Sequence, residues 1–96
     1  MRIAILQLNS RIADPAQNGR ALEAAYAQAL DQGAELVVAT ELGVVGYLAE
    51  DRLWEAGLRR QVTAESRRLA GLGGPAPLIL GTCSPAPSGR LWNELW

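Results

Sequence analysis

Two short apolar runs, separated by one helical pattern, constrain the fold of this chain more than any other feature. The first run lies in residues 2–8 and the second in residues 35–40. Between them, Asp14 followed by Pro15 is a typical helix start, and Gly33 is a typical end. Parallel strands need such a crossover helix, which is right-handed as a rule. The pattern therefore predicts a β-α-β unit.

The rest of the chain continues the alternation of strands and helices. A second helix is predicted from about residue 51 or 54 to residue 72, ended by the glycines and proline of residues 71–75. The residues expected to face inward from this helix are Trp54, Leu58, Val62, Leu69 and Leu72. An apolar run at residues 77–81 predicts a third strand, residues 84–89 are typical of a turn, and residues 90–96 predict a fourth strand. The predicted fold class is α/β, in the order β-α-β-α-β-β.

The first strand is predicted to be central, and the last predicted strand indicates an incomplete sheet. The apolar run of residues 2–8 lacks a polar alternation, which is typical of a central strand covered on both faces. At the other end, Trp92, Glu94 and Trp96 alternate on one face of the last strand, and no polar tail follows. We therefore expect the 96 residues to be the front part of a larger α/β domain.

Composition excludes several classes of function. The net charge is -1, and the arginines near residues 59–68 alternate with acids, so neither nucleic acid nor a membrane surface is indicated as a partner. No apolar run is long enough to cross a bilayer, and the single cysteine fits a reducing compartment, so we expect a cytoplasmic protein. The sequence has no histidine and no lysine, which excludes a histidine-assisted nucleophile, a Schiff-base lysine and a histidine-ligated metal.

Glu41 is the candidate for chemistry, because it directly follows the second predicted strand. In an α/β sheet, ligands bind outside the carboxyl ends of the strands, where the loop after this strand begins. A strand-end carboxylate can also do no more than contact water. Position alone leaves both interpretations of Glu41 open.

Two other kinds of site are disfavoured by the residues after Glu41. Gly43 and Gly46 do not have the spacing of a phosphate-binding loop, and the carboxylate beside them would repel a phosphate. The adjacent acids Glu50 and Asp51 are more typical of the first turn of a helix than of a metal site without further ligands. We therefore predict no metal site in these residues.

The order of short motifs along the whole chain resembles the start of a nitrilase-superfamily carbon-nitrogen hydrolase domain. Within that superfamily the chain is most similar to the glutamine amidotransferase domains of glutamine-dependent NAD+ synthetases. The motifs that carry the resemblance are residues 2–9, Asp14 with Asn18, residues 32–38, residues 40–42, Gly46 with Tyr47, Glu50 with Asp51, residues 80–82 and residues 90–93. The resemblance implies that residues 1–96 are the N-terminal part of a single such domain, the start of an incomplete nitrilase-like α-β-β-α sandwich.

The resemblance also implies a catalytic role for one residue. The family uses a Glu-Lys-Cys triad, and Glu41 matches its glutamate, the general base that takes the proton of the cysteine thiol. The triad lysine and cysteine would lie beyond residue 96, and Cys83 is expected to be a structural thiol because no basic neighbour activates it. Tyr47 matches a position near the site and is expected to bind substrate or pack in the core.

Substrate and cofactors follow from the same resemblance. Glutamine is the expected substrate, and ammonia would be delivered for synthesis of NAD+ from deamido-NAD+. The amidase chemistry needs no cofactor, while ATP with Mg would be used in a synthetase domain outside these residues. The intact protein is expected to be a homo-oligomer. Thr40, Leu48, Ala49 and Arg52 depart from the family pattern, which has prolines at the first three positions and leucine at the last.

Two further hypotheses stay open from the sequence. Another amidase of the superfamily, acting on a simple amide or carbamoyl substrate, would share Glu41 and the start of the fold. Alternatively, the chain is a non-catalytic assembly module that binds a partner through Trp54, Trp92 and Trp96, since exposed aromatic surface on an incomplete sheet favours association.

Overall fold

The computed structural model describes residues 1–46, 55–88 and 90–96. Five strands and two helices follow one another in these residues. In chain order they are β1 (Ile3–Leu6), α1 (Pro15–Asp31), β2 (Leu36–Ala39), α2 (Ala56–Ala70), β3 (Leu78–Ile79), β4 (Gly81–Pro85) and β5 (Leu91–Leu95). Among the described residues, none of the helices has both the length and the apolar character needed to span a membrane.

A parallel sheet of three strands forms the centre of the fold. Its order is β1-β2-β3, with Ile3 of β1 opposite Leu36 of β2 and Val38 of β2 opposite Ile79 of β3. Helix α1 connects β1 to β2 and packs on both strands, and α2 packs on α1 and on β4. The β-α-β unit predicted from the sequence is therefore confirmed.

Helix α1 begins and ends where its sequence signals lie. The Asp14 side chain accepts a hydrogen bond from the Gln17 backbone N–H at 3.2 Å, and Pro15 occupies the first turn. At the other end, Gly33 has a φ of +80°, a left-handed conformation that favours glycine. The buried face of α1 includes Leu22 and Tyr26, and the Tyr26 hydroxyl donates to the Ala76 carbonyl oxygen at 2.6 Å.

Helix α2 is fixed to β4 by a buried pair of hydroxyl groups. Ser66 and Thr82 are both fully buried, and their side-chain oxygens lie 2.7 Å apart. Leu58, Val62 and Leu69 form the rest of the buried face, as predicted. The predicted contribution of Trp54 lies outside the described residues.

The strand predictions need two corrections. First, β1 is an edge strand of its sheet, and Ile3 and Ile5 are 52% and 69% exposed. Among the described residues, the face of β1 that carries Ala4 and Leu6 is the covered one, and α1 packs on it. Second, residues 81–85 form a separate strand, β4, although a turn was predicted from residue 84. Antiparallel pairing with β5 stabilises β4, which gives five strands where four were predicted.

Candidate functional site

Glu41 lies in the turn that directly follows β2, as expected. Because β1 and β2 are parallel, their carboxyl ends meet at one edge of the sheet. An open cleft of about 450 Å³ lies at this edge. It is lined by Leu8, Asn9, Ser10, Ile12, Thr40 and Glu41. The Glu41 side chain is exposed in this chain and accessible from the cleft, so it can meet a reacting group.

The turn that carries Glu41 has a constrained backbone. Leu42 has a φ of +51°, in the left-handed region that non-glycine residues rarely adopt. Backbone hydrogen bonds close the turn, from Gly43 N–H to the Thr40 oxygen at 3.2 Å and from Gly46 N–H to the Leu42 oxygen at 2.9 Å. A strained residue of this kind persists only where the surrounding structure enforces it, and such residues are frequent at functional sites.

The segment after β1 enforces this conformation through three consecutive carbonyl groups. The carbonyl oxygen of Gly43 accepts from the Ser10 hydroxyl at 3.2 Å. That of Val44 accepts from the Asn18 side-chain amide at 2.9 Å, and that of Val45 accepts from the Ala13 backbone N–H at 2.8 Å. The residues after β1 and the residues after β2 are thereby held together as one unit.

Asn18 is the central polar residue of that unit. Only 3% of it is exposed, and besides Val44 it binds both backbone groups of Arg11. Its amide nitrogen donates to the Arg11 oxygen at 2.8 Å, and its amide oxygen accepts from the Arg11 N–H at 2.7 Å. The sequence contained a signal for this role, because Asn18 is a polar residue in register with the buried positions Leu22 and Tyr26 of α1.

Two glycines allow the close approach of the Glu41 turn to its neighbours. Gly46 has a φ of +89°, and an added Cβ there would collide with the carbonyl oxygen of Arg11. At Gly81, the first residue of β4, an added Cβ would collide with the Thr40 oxygen and lie 2.9 Å from the Glu41 Cα. Gly46 thus tightens the segment after Glu41 against Arg11.

Asn93 of β5 is the residue that contacts the Glu41 carboxylate. Its side-chain Nδ2 donates a hydrogen bond to Oε1 of Glu41 across 52 positions of sequence. No role was predicted for Asn93, although residues 90–93 form part of the family resemblance. A carboxylate held by an amide donor at the edge of an open cleft can accept a proton from a group that enters the cleft.

Cys83 lies in β4 opposite Asn93, but it is unsuited to nucleophilic attack. Its thiol is buried, and burial raises its pKa, with the charge of Glu94 acting in the same direction. The thiolate is the reactive form of cysteine, so a raised pKa keeps the side chain inert at neutral pH. This agrees with the structural role predicted for Cys83.

The remaining predicted site residues lie outside the region where contacts can be described. Tyr47, Glu50 and Asp51 belong to residues 47–54, which the structure does not describe. Within the described ranges, no three His, Cys, Asp or Glu side chains group in a way that could hold a metal ion. The triad lysine and cysteine implied by the resemblance have no counterpart near Glu41 in residues 1–96, since the sequence has no lysine and its single cysteine is Cys83.

Sequence comparison identifies relatives over nearly the whole chain. Residues 2–93 match the family model for carbon-nitrogen hydrolases. A glutamine-dependent NAD(+) synthetase from Synechocystis sp. is 34% identical over 99 residues, which cover 96% of this chain. The chain spans only 18% of the length of that relative.

Solved structures with the same fold include NAD+ synthetases and an amidase. A glutamine-dependent NAD+ synthetase from Acinetobacter baumannii matches with a TM-score of 0.87 and 24% identity, over 98% of this chain and 18% of its own. An amidase from Nesterenkonia sp. matches with a TM-score of 0.73 and 30% identity, over 100% of this chain and 40% of its own. A mutant of the amidase from Nesterenkonia sp. AN1 shows covalent addition of the acetamide moiety of fluoroacetamide at the active site cysteine. The predicted nitrilase-like α/β fold is therefore confirmed.

Proposed function

Because this chain belongs to the carbon-nitrogen hydrolase family, we propose that residues 1–96 form the N-terminal part of a thiol-dependent amidase domain with Glu41 as its general base. One observation carries the proposal: the Glu41 carboxylate lies at the joined carboxyl ends of β1 and β2, beside an open cleft. Ligands of α/β sheets bind at this edge, so a general base is well placed there.

The proposed reaction uses Glu41 twice. Its carboxylate accepts the proton of a cysteine thiol, and the thiolate attacks the amide carbonyl carbon of the substrate. The tetrahedral intermediate collapses when the protonated Glu41 returns the proton to the leaving nitrogen, which releases ammonia and leaves a thioester. Water, deprotonated by Glu41, then attacks the thioester, and the thiol is regenerated together with the carboxylic acid. The cysteine and the lysine of the triad would come from chain beyond residue 96.

We propose that the substrate is glutamine and that the ammonia released from it is used for NAD+ synthesis. The 34% identity with the Synechocystis synthetase supports this choice. In such a protein, ATP and Mg would act in the synthetase part, where residues 1–96 take no share. We further propose a homo-oligomer in the cytoplasm, where the single cysteine, a free and buried thiol, would remain reduced.

A matched pair of glutamate variants of the intact protein tests the role of Glu41. Glu41→Gln should lower kcat for glutamine hydrolysis by about 10²- to 10⁴-fold, since the amide cannot accept the thiol proton. Glu35→Gln is the control, because Glu35 precedes β2 at its other end and a glutamine there can still accept from the Arg2 N–H. Steady-state ammonia release measures both. Activity of Glu41→Gln equal to that of Glu35→Gln would contradict the proposal.

A second candidate differs only in the substrate. The Nesterenkonia amidase is 30% identical and covered by this chain over 40% of its length, which favours a simple amide as the alternative to glutamine. Comparing kcat/KM for glutamine with that for short aliphatic amides distinguishes the two functions. Both functions require Glu41, so loss of activity in Glu41→Gln is expected with whichever substrate is preferred.

A further inference from the structure

We propose that Asn93 is a positioning residue for Glu41: its side-chain amide holds one carboxylate oxygen so that the other faces the reacting thiol. The observation is the hydrogen bond from Asn93 Nδ2 to Glu41 Oε1. This inference rests on the proposed role of Glu41 as general base and adds a residue that neither the family match nor the relatives assign.

The backbone positions of β4 and β5 bring the side chains of Asn93 and Glu41 together. Asn93 is opposite Cys83 and Leu95 is opposite Gly81 in the antiparallel pairing of β4 with β5. Alternation along a strand places Asn93 on the same face of this two-stranded sheet as Gly81. That is the face on which the missing Cβ of Gly81 admits the backbone of Thr40 and Glu41.

A second contact attaches the Glu41 turn to this two-stranded sheet. The Val44 backbone N–H, three residues after Glu41, donates to the Gly81 oxygen of β4 at 3.4 Å. Both partners of the Glu41–Asn93 bond are thus carried by backbone that is hydrogen-bonded in place. A surface encounter between two long side chains on separate loops would lack such a framework.

The chemistry of the amide explains why this position suits asparagine. The Asn93 nitrogen can only donate, so it can engage a carboxylate but cannot compete for the thiol proton. A glutamate side chain has several rotatable bonds, and a charge-assisted hydrogen bond limits the orientations of its carboxylate. Because proton transfer requires a short and aligned approach, a misplaced base slows the chemical step more than it weakens substrate binding.

Kinetics of the intact protein test the role. Asn93→Leu, of similar size but without a donor, should lower kcat roughly 10- to 100-fold with KM changed by less than about 3-fold. Asn93→Gln keeps the donor and should recover most of the lost rate. Gln61→Leu is the control, because it removes an exposed amide from α2, away from Glu41, and should leave kcat unchanged. Equal rates for Asn93→Leu and the wild type would overturn the inference, as would an equal loss in Asn93→Gln.

A double mutant distinguishes this inference from the proposed function itself. If Asn93 acts through Glu41, Asn93→Leu should lower the residual rate of Glu41→Gln no further. A further loss in the double mutant would show that Asn93 acts elsewhere and would reject its positioning role. Full activity of Glu41→Gln alone would instead reject Glu41 as general base, and the positioning role would fail with it.

The contact itself has a test that does not depend on activity. In the intact protein labelled with ¹⁵N, the side-chain amide signals of Asn93 should differ between the wild type and Glu41→Gln, because the variant removes the charged acceptor of the hydrogen bond. Glu35→Gln keeps the Glu41 carboxylate and should leave these signals in place. Asn93 signals at the same positions in the wild type and in Glu41→Gln would show that the hydrogen bond is absent, whatever the kinetics of the intact protein.

Discussion

At the scale of single residues, the site depends on which polar groups the fold leaves reactive. Glu41 is presented to a cleft, whereas Cys83 is buried two residues after the glycine that admits the Glu41 turn. Burial decides against a nucleophilic role for Cys83, and under the proposed function the nucleophile would come from another part of the protein.

The raised pKa of Cys83 predicts how stability depends on pH. The folded chain holds a proton that the unfolded chain gives up above the ordinary thiol pKa of about 8.5. The stabilisation of the folded state by this thiol should therefore be fully present below pH about 8.5. It should decline as the pH rises towards the raised pKa of the folded state. Urea denaturation under reducing conditions should show this decline in the wild type.

Cys83→Ala isolates the thiol from all other titrating groups. The variant is expected to be less stable at neutral pH because it leaves a small cavity, and the difference from the wild type should narrow in alkaline solution. If the unfolding free energies of the wild type and Cys83→Ala changed equally with pH across the alkaline range, the burial of Cys83 would not perturb its ionisation.

At the scale of elements, the junction after β1 and β2 is held by α1. Asn18 on the first turns of α1 makes three side-chain hydrogen bonds, to both backbone groups of Arg11 and to the Val44 oxygen. While the helix remains in place, few of these groups can form hydrogen bonds with water instead, because Asn18 and Val44 are both buried. The helix therefore positions the turn that carries Glu41 as well as connecting two strands.

Removal of the Asn18 amide should destabilise the chain strongly. Asn18→Leu leaves an N–H and two carbonyl groups without their partner, which we expect to cost about 2–5 kcal/mol of unfolding free energy. Gln17→Leu is the matched control on the adjacent residue, whose side chain makes only an exposed bond to Arg20, and it should cost less than about 1 kcal/mol. Denaturation midpoints measure both, and similar losses would refute a central role for Asn18.

The elements also show what the sequence could and could not predict. Helix α1 was predictable because Asp14, Pro15 and Gly33 act through bonds within a few residues. Strand β4 was missed because its small and turn-forming residues become a strand only when β5 pairs with it. The position of Glu41 after β2 was predictable because a strand end is a local feature, whereas Asn93 reaches Glu41 only through the register of β4 with β5. Local signals predicted the elements, and long-range pairing determined which side chains meet at the candidate site.

At the scale of the whole molecule, one face of the parallel sheet is left uncovered by the described residues. The exposed large apolar residues include Ile3 and Ile5 on that face, and Trp92 and Leu95 on β5. The sequence of an apolar strand does not show whether one face or both faces of the strand are covered. The family match and the 18% and 40% coverage of its relatives support the proposal that further chain of the same domain packs there.

The uncovered face leads to opposite predictions for the isolated chain and the intact protein. The isolated 96 residues should self-associate, and Ile5→Thr should reduce association because it removes apolar surface while keeping a β-branched residue in the strand. Ile12→Thr is the control, since Ile12 is also exposed, at 52% against 69% for Ile5, but lies outside the strands. Sedimentation velocity over a range of concentrations measures both variants.

In the intact protein the same substitution should act on stability instead. If further chain buries Ile5, Ile5→Thr places a hydroxyl in an apolar contact and should lower the unfolding free energy by about 1–3 kcal/mol. An isolated chain that stays monomeric would mean that this face is tolerated in water, and the assembly hypothesis for the short chain would fail with it. An intact protein indifferent to Ile5→Thr would place the rest of the domain elsewhere, because a buried isoleucine cannot be replaced by threonine without cost.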